Sequence, residues 1–378
     1  MRMTKLVMFL TILALMLAAC GGPTPTKGEV IVYVAAPLSG FQANGGQTVL
    51  GGARLAANEA NTSGGLLGYK IVVVGKDDES TDDVAVAVAQ DVAADIKAGK
   101  RVLGVVGHYN SGQTLAAMEI YKDLPIVIIT PTSSEATLTQ KGYKNFFRVN
   151  ANDSTQASVD AAYLVNKLMA KKVAIVHNDD PYGIGLGKAL ADQLSQLGAQ
   201  AVLNLQVQVG QSKYITEVQK IKSAVPDAVF YAGYEVEAPY LRRQLVDAGI
   251  KVPFMASDGA FLSPTIDEAE GAAEGIYLSN FAPEPKAVVQ AQWIKAYQDV
   301  EFRNPDTYSI NGYSAMKVLI EGAKKAGTLE GPKVAEAIRS LDINTPMGKV
   351  AYNPNGDLKE QRVFIFQVKD GEFVQVGQ

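Results

Sequence analysis

The sequence predicts an α/β fold of two doubly wound parallel-sheet lobes, and three observations carry that expectation. Short β-branched runs alternate with longer amphipathic segments, the rhythm restarts once after Asn152, and 378 residues suffice for two domains of ordinary size. The first strand candidates are Val30–Val34, Ile71–Val74, Val102–Val106 and Ile126–Ile129. Such nearly continuous apolar runs suit strands covered on both faces, as in a parallel sheet layered with helices. Between them, Gly46–Asn61, Asp83–Lys97 and Gln113–Tyr121 carry alanine, valine and leucine at helical spacing. The second set of strands is Val173–Val176, Ala201–Leu205, Ala228–Tyr231 and Pro253–Met255. Trp293 falls on the apolar side of an amphipathic stretch, Val288–Tyr297.

Composition narrows the function. One cysteine and two histidines leave no disulfide framework, no cysteine-based zinc site and little scope for multi-histidine metal catalysis. Hydrophobic residues at 47% and charged residues at 20% fit a folded chain. A formal net charge of −4 argues against nucleic acid as a partner, because such binders need a basic face to displace counterions.

The N-terminus has a targeting layout. Arg2 and Lys5 precede an uncharged run from Leu6 to Ala19, too short to span a bilayer permanently, which stops at Leu17-Ala18-Ala19-Cys20-Gly21. This stop resembles a lipobox, in which Cys20 becomes the acylated first residue after residues 1–19 are removed. A plain secretory cleavage site with a chance cysteine is the alternative. Residues 20–28 then form the lipidated cysteine and a flexible tether rich in Gly, Pro and Thr. The expected location is extracytoplasmic, with the membrane reached through the lipid.

Open doubly wound sheets bind ligands beyond the carboxyl ends of their strands, so chemistry is sought in those loops. Ser111, Thr132, Ser133 and Ser134 each stand just before a predicted helix, where hydroxyls and free N–H groups suit a carboxylate. Each alone reads first as an N-cap for its own helix; two such loops ending adjacent strands make a shared anion site the better reading of the set. Tyr182, Tyr234 and Asp258 end strands of the second set, and an acid between aromatic faces suits an ammonium. Asp258 before Gly259 is alone also a turn aspartate. Together the two groups complement an α-amino acid zwitterion.

Other motifs are weaker. Gly183–Lys188 follows a strand and opens a helix but departs from both dinucleotide and phosphate-loop patterns. The acidic stretch Asp77–Asp83 lacks calcium-loop spacing and reads as a solvated helix start. No G-x-S-x-G elbow occurs, and His108 and His177 read as polar loop residues.

These residues, taken in order, resemble the branched-chain amino acid binding proteins of ABC importers, the leucine/isoleucine/valine type among type I periplasmic binding proteins. The likeness runs from about Glu29 to Gln367. It includes Pro37-Leu38-Ser39-Gly40, Gly107-His108, Ile129-Thr130-Pro131, Arg148, Tyr182-Gly183, Gly233-Tyr234, Asp258-Gly259 and Gly356-Asp357-Leu358. The resemblance implies two lobes joined by three crossovers, the first from residues 28–149 and 281–346, the second from 150–280 and 347–378. It implies carboxylate contacts at Ser111, Thr132, Ser133 and Ser134, an ammonium site at Asp258, Tyr182 and Tyr234, and Tyr308 packed on the ligand side chain. Where relatives carry an aromatic after Ser-Gly in the first loop, this chain has Gly45, which is expected to enlarge the side-chain pocket. Asp258 replaces a longer Glu, and Ser80 and Asn110 stand where some relatives have a disulfide.

The expected function is capture of an amino acid, branched-chain or similarly apolar, for delivery to an ABC permease, by a monomer with no cofactor, no metal and no catalytic residue. Alternatives are another small polar ligand in the same fold, such as an amide, urea or an aromatic acid, and, from a different class, a secreted hydrolase using one of the histidines.

Overall fold

A computed structural model of the chain describes residues 24–377. Cys20 and the segment before it lie outside the described residues.

The first sheet forms from β1 (Glu29–Ala36), β2 (Lys70–Asp77), β3 (Val102–Gly107), β4 (Val127–Thr130) and β5 (Phe146–Arg148). Helices α1 (Ala43–Thr62), α2 (Asp82–Lys97) and α3 (Ser111–Tyr121) connect the first four strands. The strand order is β2-β1-β3-β4-β5, and every pair is parallel. All six residues of β3 are buried, the two-sided covering that its apolar run predicts.

The second sheet repeats the winding. After α4 (Asp153–Asn166) come β6 (Lys172–Asn178), α5 (Pro181–Gln196), β7 (Gln200–Val207), α6 (Ile215–Ala224), β8 (Ala228–Ala232), α7 (Ala238–Asp247) and β9 (Phe254–Ala256). A short α8 (Pro264–Asp267) precedes β10 (Tyr277–Asn280). The chain then returns to the first sheet through α9 (Pro285–Val288), α10 (Ala291–Glu301), α11 (Thr307–Ala326) and α12 (Gly331–Arg339). Last come the hairpin β11 (Asp342–Thr345) and β12 (Gly348–Ala351), then β13 (Phe364–Lys369) and β14 (Glu372–Gly377).

The second sheet runs β14-β13-β10-β9-β8-β6-β7. Its β10 to β7 portion is parallel, but β13 and β14 join antiparallel, so this lobe is mixed at one edge rather than wholly parallel. A two-residue turn between β13 and β14 leaves no room for the crossover that a parallel pair needs.

Return of α11 to the first lobe depends on close helix packing. A Cβ at Gly52 of α1 would stand 1.9 Å from Ser309 O, and one at Gly312 of α11 would stand 2.1 Å from Val49 O. Only glycine lets the two backbones touch there. Trp293 is half-buried on α10, stacked on Tyr297 at 5.8 Å, against the first lobe's core.

The three crossovers meet in a small apolar cluster of Ala151, Phe281 and Val363, one residue from each. This moves one expected boundary. Residues 348–358 belong with the first lobe, because Val350, Tyr352 and Leu358 enter its core and Gly356 O accepts the Arg148 N–H at 3.2 Å. The third crossover therefore falls between Leu358 and β13, not at residue 346. The β-hairpin after α12 has no helix-to-strand rhythm to reveal which lobe it covers.

Candidate functional site

Each sheet reverses its winding direction at one place, between β1 and β3 in the first and between β6 and β8 in the second. Loops diverge at such a switch point and leave a crevice. The two crevices face each other. Between them lies a cleft lined by Tyr109, Asn110, Ser111, Thr132, Ser133, Ser134, Tyr182, Tyr234, Asp258, Gly259 and Tyr308. Of the nine residues expected around a ligand, eight line this one space; Gly45 does not.

On the first lobe, α3 starts at Ser111 and its N-cap residue, Asn110, supplies no side-chain cap. The free N–H groups of that first turn and the positive end of the helix dipole are available to an anion. Ser111 Oγ accepts the N–H groups of Ser134 and Glu135, each at 3.2 Å, which leaves its own proton to donate. Thr132 and Ser133 are committed differently. Thr132 Oγ1 donates to Tyr109 O, and Ser133 Oγ donates to His108 O at 3.0 Å while sharing a 2.6 Å bond with Thr114 Oγ1. These hydroxyls stitch the β3 and β4 loops together. The β4 loop is further held by Arg148, which donates to Ser133 O at 3.0 Å and Glu135 O at 3.1 Å, and by Asn311, which donates to Pro131 O at 2.9 Å. Arg148 is fully buried and its charge is met by Asp357 at 2.7 Å.

On the second lobe, Asp180 caps α5 by accepting the Tyr182 N–H at 2.9 Å, with Pro181 setting the first turn. Tyr182 is thereby fixed at the helix start, stacked on Tyr234 with ring centroids 5.6 Å apart and planes 14° from parallel. Glu237 holds the Tyr234 loop by accepting its N–H at 2.9 Å and the Tyr231 hydroxyl at 2.5 Å. Asp258 opens a 3-10 turn directly after β9. Its Oδ1 accepts Tyr182 Oη at 2.6 Å and Gln156 Nε2 at 2.8 Å. Burial pushes its pKa up to about 6, against the opposing pull of those two donors.

Tyr308 joins the halves. A capping box between Asp306 and Ser309 fixes the first turn of α11, and Tyr308 Oη reaches over to donate to Asp258 O at 2.6 Å. The charge balance is one-sided. Burial raises the pKa of Asp153, Asp160, Asp180, Glu235 and Asp258, whereas Arg148, a buried cation near Asp153, is already paired with Asp357. Asp258, the one acid that lines the cleft, accommodates a cation, and the uncapped helix opposite accommodates an anion.

Gly45 has a different role from the one expected. A Cβ there would stand 2.3 Å from Tyr109 Oη, so the room left by the missing side chain is filled by the Tyr109 ring. Tyr109 packs edge-on against Tyr308 at 5.4 Å and walls the cleft itself. The pocket is not enlarged; its aromatic wall comes from the β3 loop instead of from α1. Tyr109 and Gln156 are the contributors that pattern reading missed. Tyr109 stands in a strand-end loop, the kind of place where ligand contacts gather, but nothing local marks its ring as a wall, and a lone glutamine on an amphipathic helix gives no signal.

The histidines stay out of the cleft. His108 is fully buried, Nδ1 2.7 Å from Asp78 and Nε2 3.3 Å from Tyr121 Oη, so the acidic stretch is partly internal rather than a solvated helix start. His177 Nδ1 bonds Asn178 O at 2.8 Å. Gly183 lies buried against Asn178, in a helix start that packs on protein. Among the described residues no cluster of His, Cys, Asp and Glu is arranged to hold a metal, and no helix is long and apolar enough to cross a membrane.

Two matching sheets, three crossovers and a cleft between facing switch points define a solute-binding architecture. The chain belongs to the periplasmic binding protein family, whose sequence model matches residues 32–372. It is similar to an amino acid binding protein of Pseudomonas aeruginosa, 32% identical over 97% of each chain. It is likewise similar to Leu/Ile/Val-binding protein homolog 1 of Brucella abortus, 32% identical over 88% of each. Among solved structures, a leucine binding protein, LivK, of Thermotoga maritima superposes with a TM-score of 0.85 at 26% identity, covering 92% of this chain and 98% of that one.

Proposed function

We propose that this chain is the extracytoplasmic solute-binding component of an ABC importer, capturing a branched-chain or similarly small apolar amino acid as its zwitterion. The observation that carries the reading is the opposition of charges across one cleft. Ser111 and the uncapped start of α3 face the ligand carboxylate, while Asp258, Tyr182 and Tyr234 receive the ammonium. Tyr109 and Tyr308 supply the apolar surface for the side chain. The names of the Pseudomonas and Brucella relatives agree with this ligand class.

In this reading the ligand touches both lobes, so it binds the closed arrangement better than the open one, and that difference alone drives closure. No bond is made or broken, and the cleft holds no nucleophile paired with a base. Cys20 tethers the body through its lipid, and the closed complex delivers its cargo to the permease as a monomer. A neutral amide or an aromatic acid would leave Asp258 without a counter-ion. A thermal-shift screen of amino acids alongside benzoate, urea and acetamide tests the reading, since a ligand selective for the native state raises its melting point. Leucine, isoleucine or valine should give the largest rise; a rise with benzoate and none with amino acids would overturn it.

A further inference from the structure

Beside Tyr109, two buried polar groups from opposite lobes face each other across an incompletely made hydrogen bond. Gln42, the N-cap residue of α1, and Glu235, in the loop after β8, are each 1% exposed. Gln42 Oε1 accepts Asn110 Nδ2 at 2.6 Å and Ser80 Oγ at 2.7 Å. Those two donors fix which way the amide points, so Gln42 Nε2 is turned away from them. The Gln42 amide points at the Glu235 carboxyl group from across the cleft as a hydrogen-bond donor, and it holds that carboxyl's pKa down against the larger effect of burial. Yet Gln42 Nε2 and Glu235 Oε2 each stand without a hydrogen-bond partner. A donor and an acceptor left unmet in the same buried place are complementary, and each is costly until the other is reached.

We propose that Gln42 and Glu235 are a lobe-to-lobe latch that completes as the cleft shuts, making Glu235 a positioning residue that sets how firmly the closed state holds its ligand. Neither residue lines the cleft, so the latch acts through closure and through the Tyr109 ring that lies against it. Ser80 and Asn110 are part of the same device, since they orient the amide.

The latch also couples closure to protons. Glu235 is surrounded by groups of its own sign or none: Glu237 and Glu268 from its own lobe, Tyr109 and Tyr308 from the other. Burial raises its pKa to about 8, whereas in an open, solvated cleft it would return toward the ordinary value of about 4.3. Between those limits closure takes up a proton. The closed form is therefore favoured as pH falls below about 8 and loses ground, at most about tenfold per unit, as pH rises toward it. Asp258 works in the opposite direction once an ammonium is bound, so the latch is read most cleanly without ligand.

The proposal rests on the interlobe geometry of the function proposed above, and its test separates the two. Small-angle X-ray scattering of the ligand-free protein at pH 6 and pH 9 follows lobe separation for wild type, Glu235→Gln, Glu235→Ala and Gln42→Ala. Wild type should be more open at pH 9 than at pH 6. Glu235→Gln keeps an acceptor and should stay closed at both, while both alanine variants should be more open than wild type at pH 6. Calorimetry with L-leucine at pH 6 should show binding weakened at least about tenfold in Glu235→Ala and restored in Glu235→Gln. Circular dichroism melts exclude unfolding, and Gln42→Ala gives an independent reading from the other lobe should Glu235→Ala not fold. If the scattering of all four proteins coincides at both pH values, the latch is wrong even though leucine binds. If leucine fails to bind wild type while the scattering differences hold, the amino acid reading fails and the latch stands.

Discussion

Removing the Asp258 carboxylate should cost the ligand its only dedicated counter-charge. One oxygen, Oδ1, is already engaged by Tyr182 and Gln156, so the other is the atom available to an ammonium. In Asp258→Ala the ammonium would be desolvated against Tyr182 and Tyr234 with no anion in contact. Truncating one partner of a buried charge pair costs about 2–5 kcal/mol, which is roughly 30-fold to several-thousand-fold in Kd. Asp258→Asn should fall at the lower end, because the amide oxygen can still accept from Tyr182. Isothermal titration with L-leucine at pH 7.5 reads both. The fold should survive, since Tyr308 bonds the backbone carbonyl of residue 258 and not its side chain. An Asp258→Ala protein that melts like wild type and binds leucine with unchanged affinity would refute the zwitterion assignment.

Other predictions follow from the same geometry. Ligand affinity should fall as pH drops below about 6, by up to about tenfold per unit, because the raised Asp258 carboxyl must then release a proton to meet the ammonium; titrations from pH 5 to 7.5 in the Glu235→Gln background would isolate this slope. Tyr308→Phe removes the bond from α11 to Asp258 O, a carbonyl that still accepts the Phe261 N–H at 2.8 Å, so the cost is one net hydrogen bond, about 0.5–1.5 kcal/mol, seen as faster ligand release in stopped flow. Gly45→Ala forces Tyr109 out of its seat, so it should lose about 1–3 kcal/mol of stability, and adding Tyr109→Ala should relieve that overpacking in a double-mutant cycle. Arg148→Ala leaves Asp357 unpaired and unpins the β4 loop, so thermal unfolding should show a loss of about 3–5 kcal/mol.

The parallel strands were legible because burial on both faces writes itself as uninterrupted apolar runs, as in Val102–Val106 and Val173–Val176. The antiparallel edge made by β13 and β14 was not, because Phe364–Lys369 carries no mark of which neighbour it will pair with. Ser111, Tyr182, Tyr234 and Asp258 could be found from their place at strand ends, where loops at a switch point must converge. Tyr109 escaped because its role depends on a vacancy at Gly45, more than sixty residues away in sequence and visible only when the two loops are placed together. Gln42 and Glu235 escaped for the same reason: their pairing is a relation between lobes, and no local pattern encodes it.

The central claim is that one cleft recognises both charges of an amino acid at once. Calorimetry comparing L-leucine with 4-methylpentanoate, which lacks the ammonium, and 3-methylbutylamine, which lacks the carboxylate, tests it most directly. Leucine should bind, and each single-charge analogue should lose at least about a hundredfold in affinity. Equal binding of leucine and 4-methylpentanoate would contradict it.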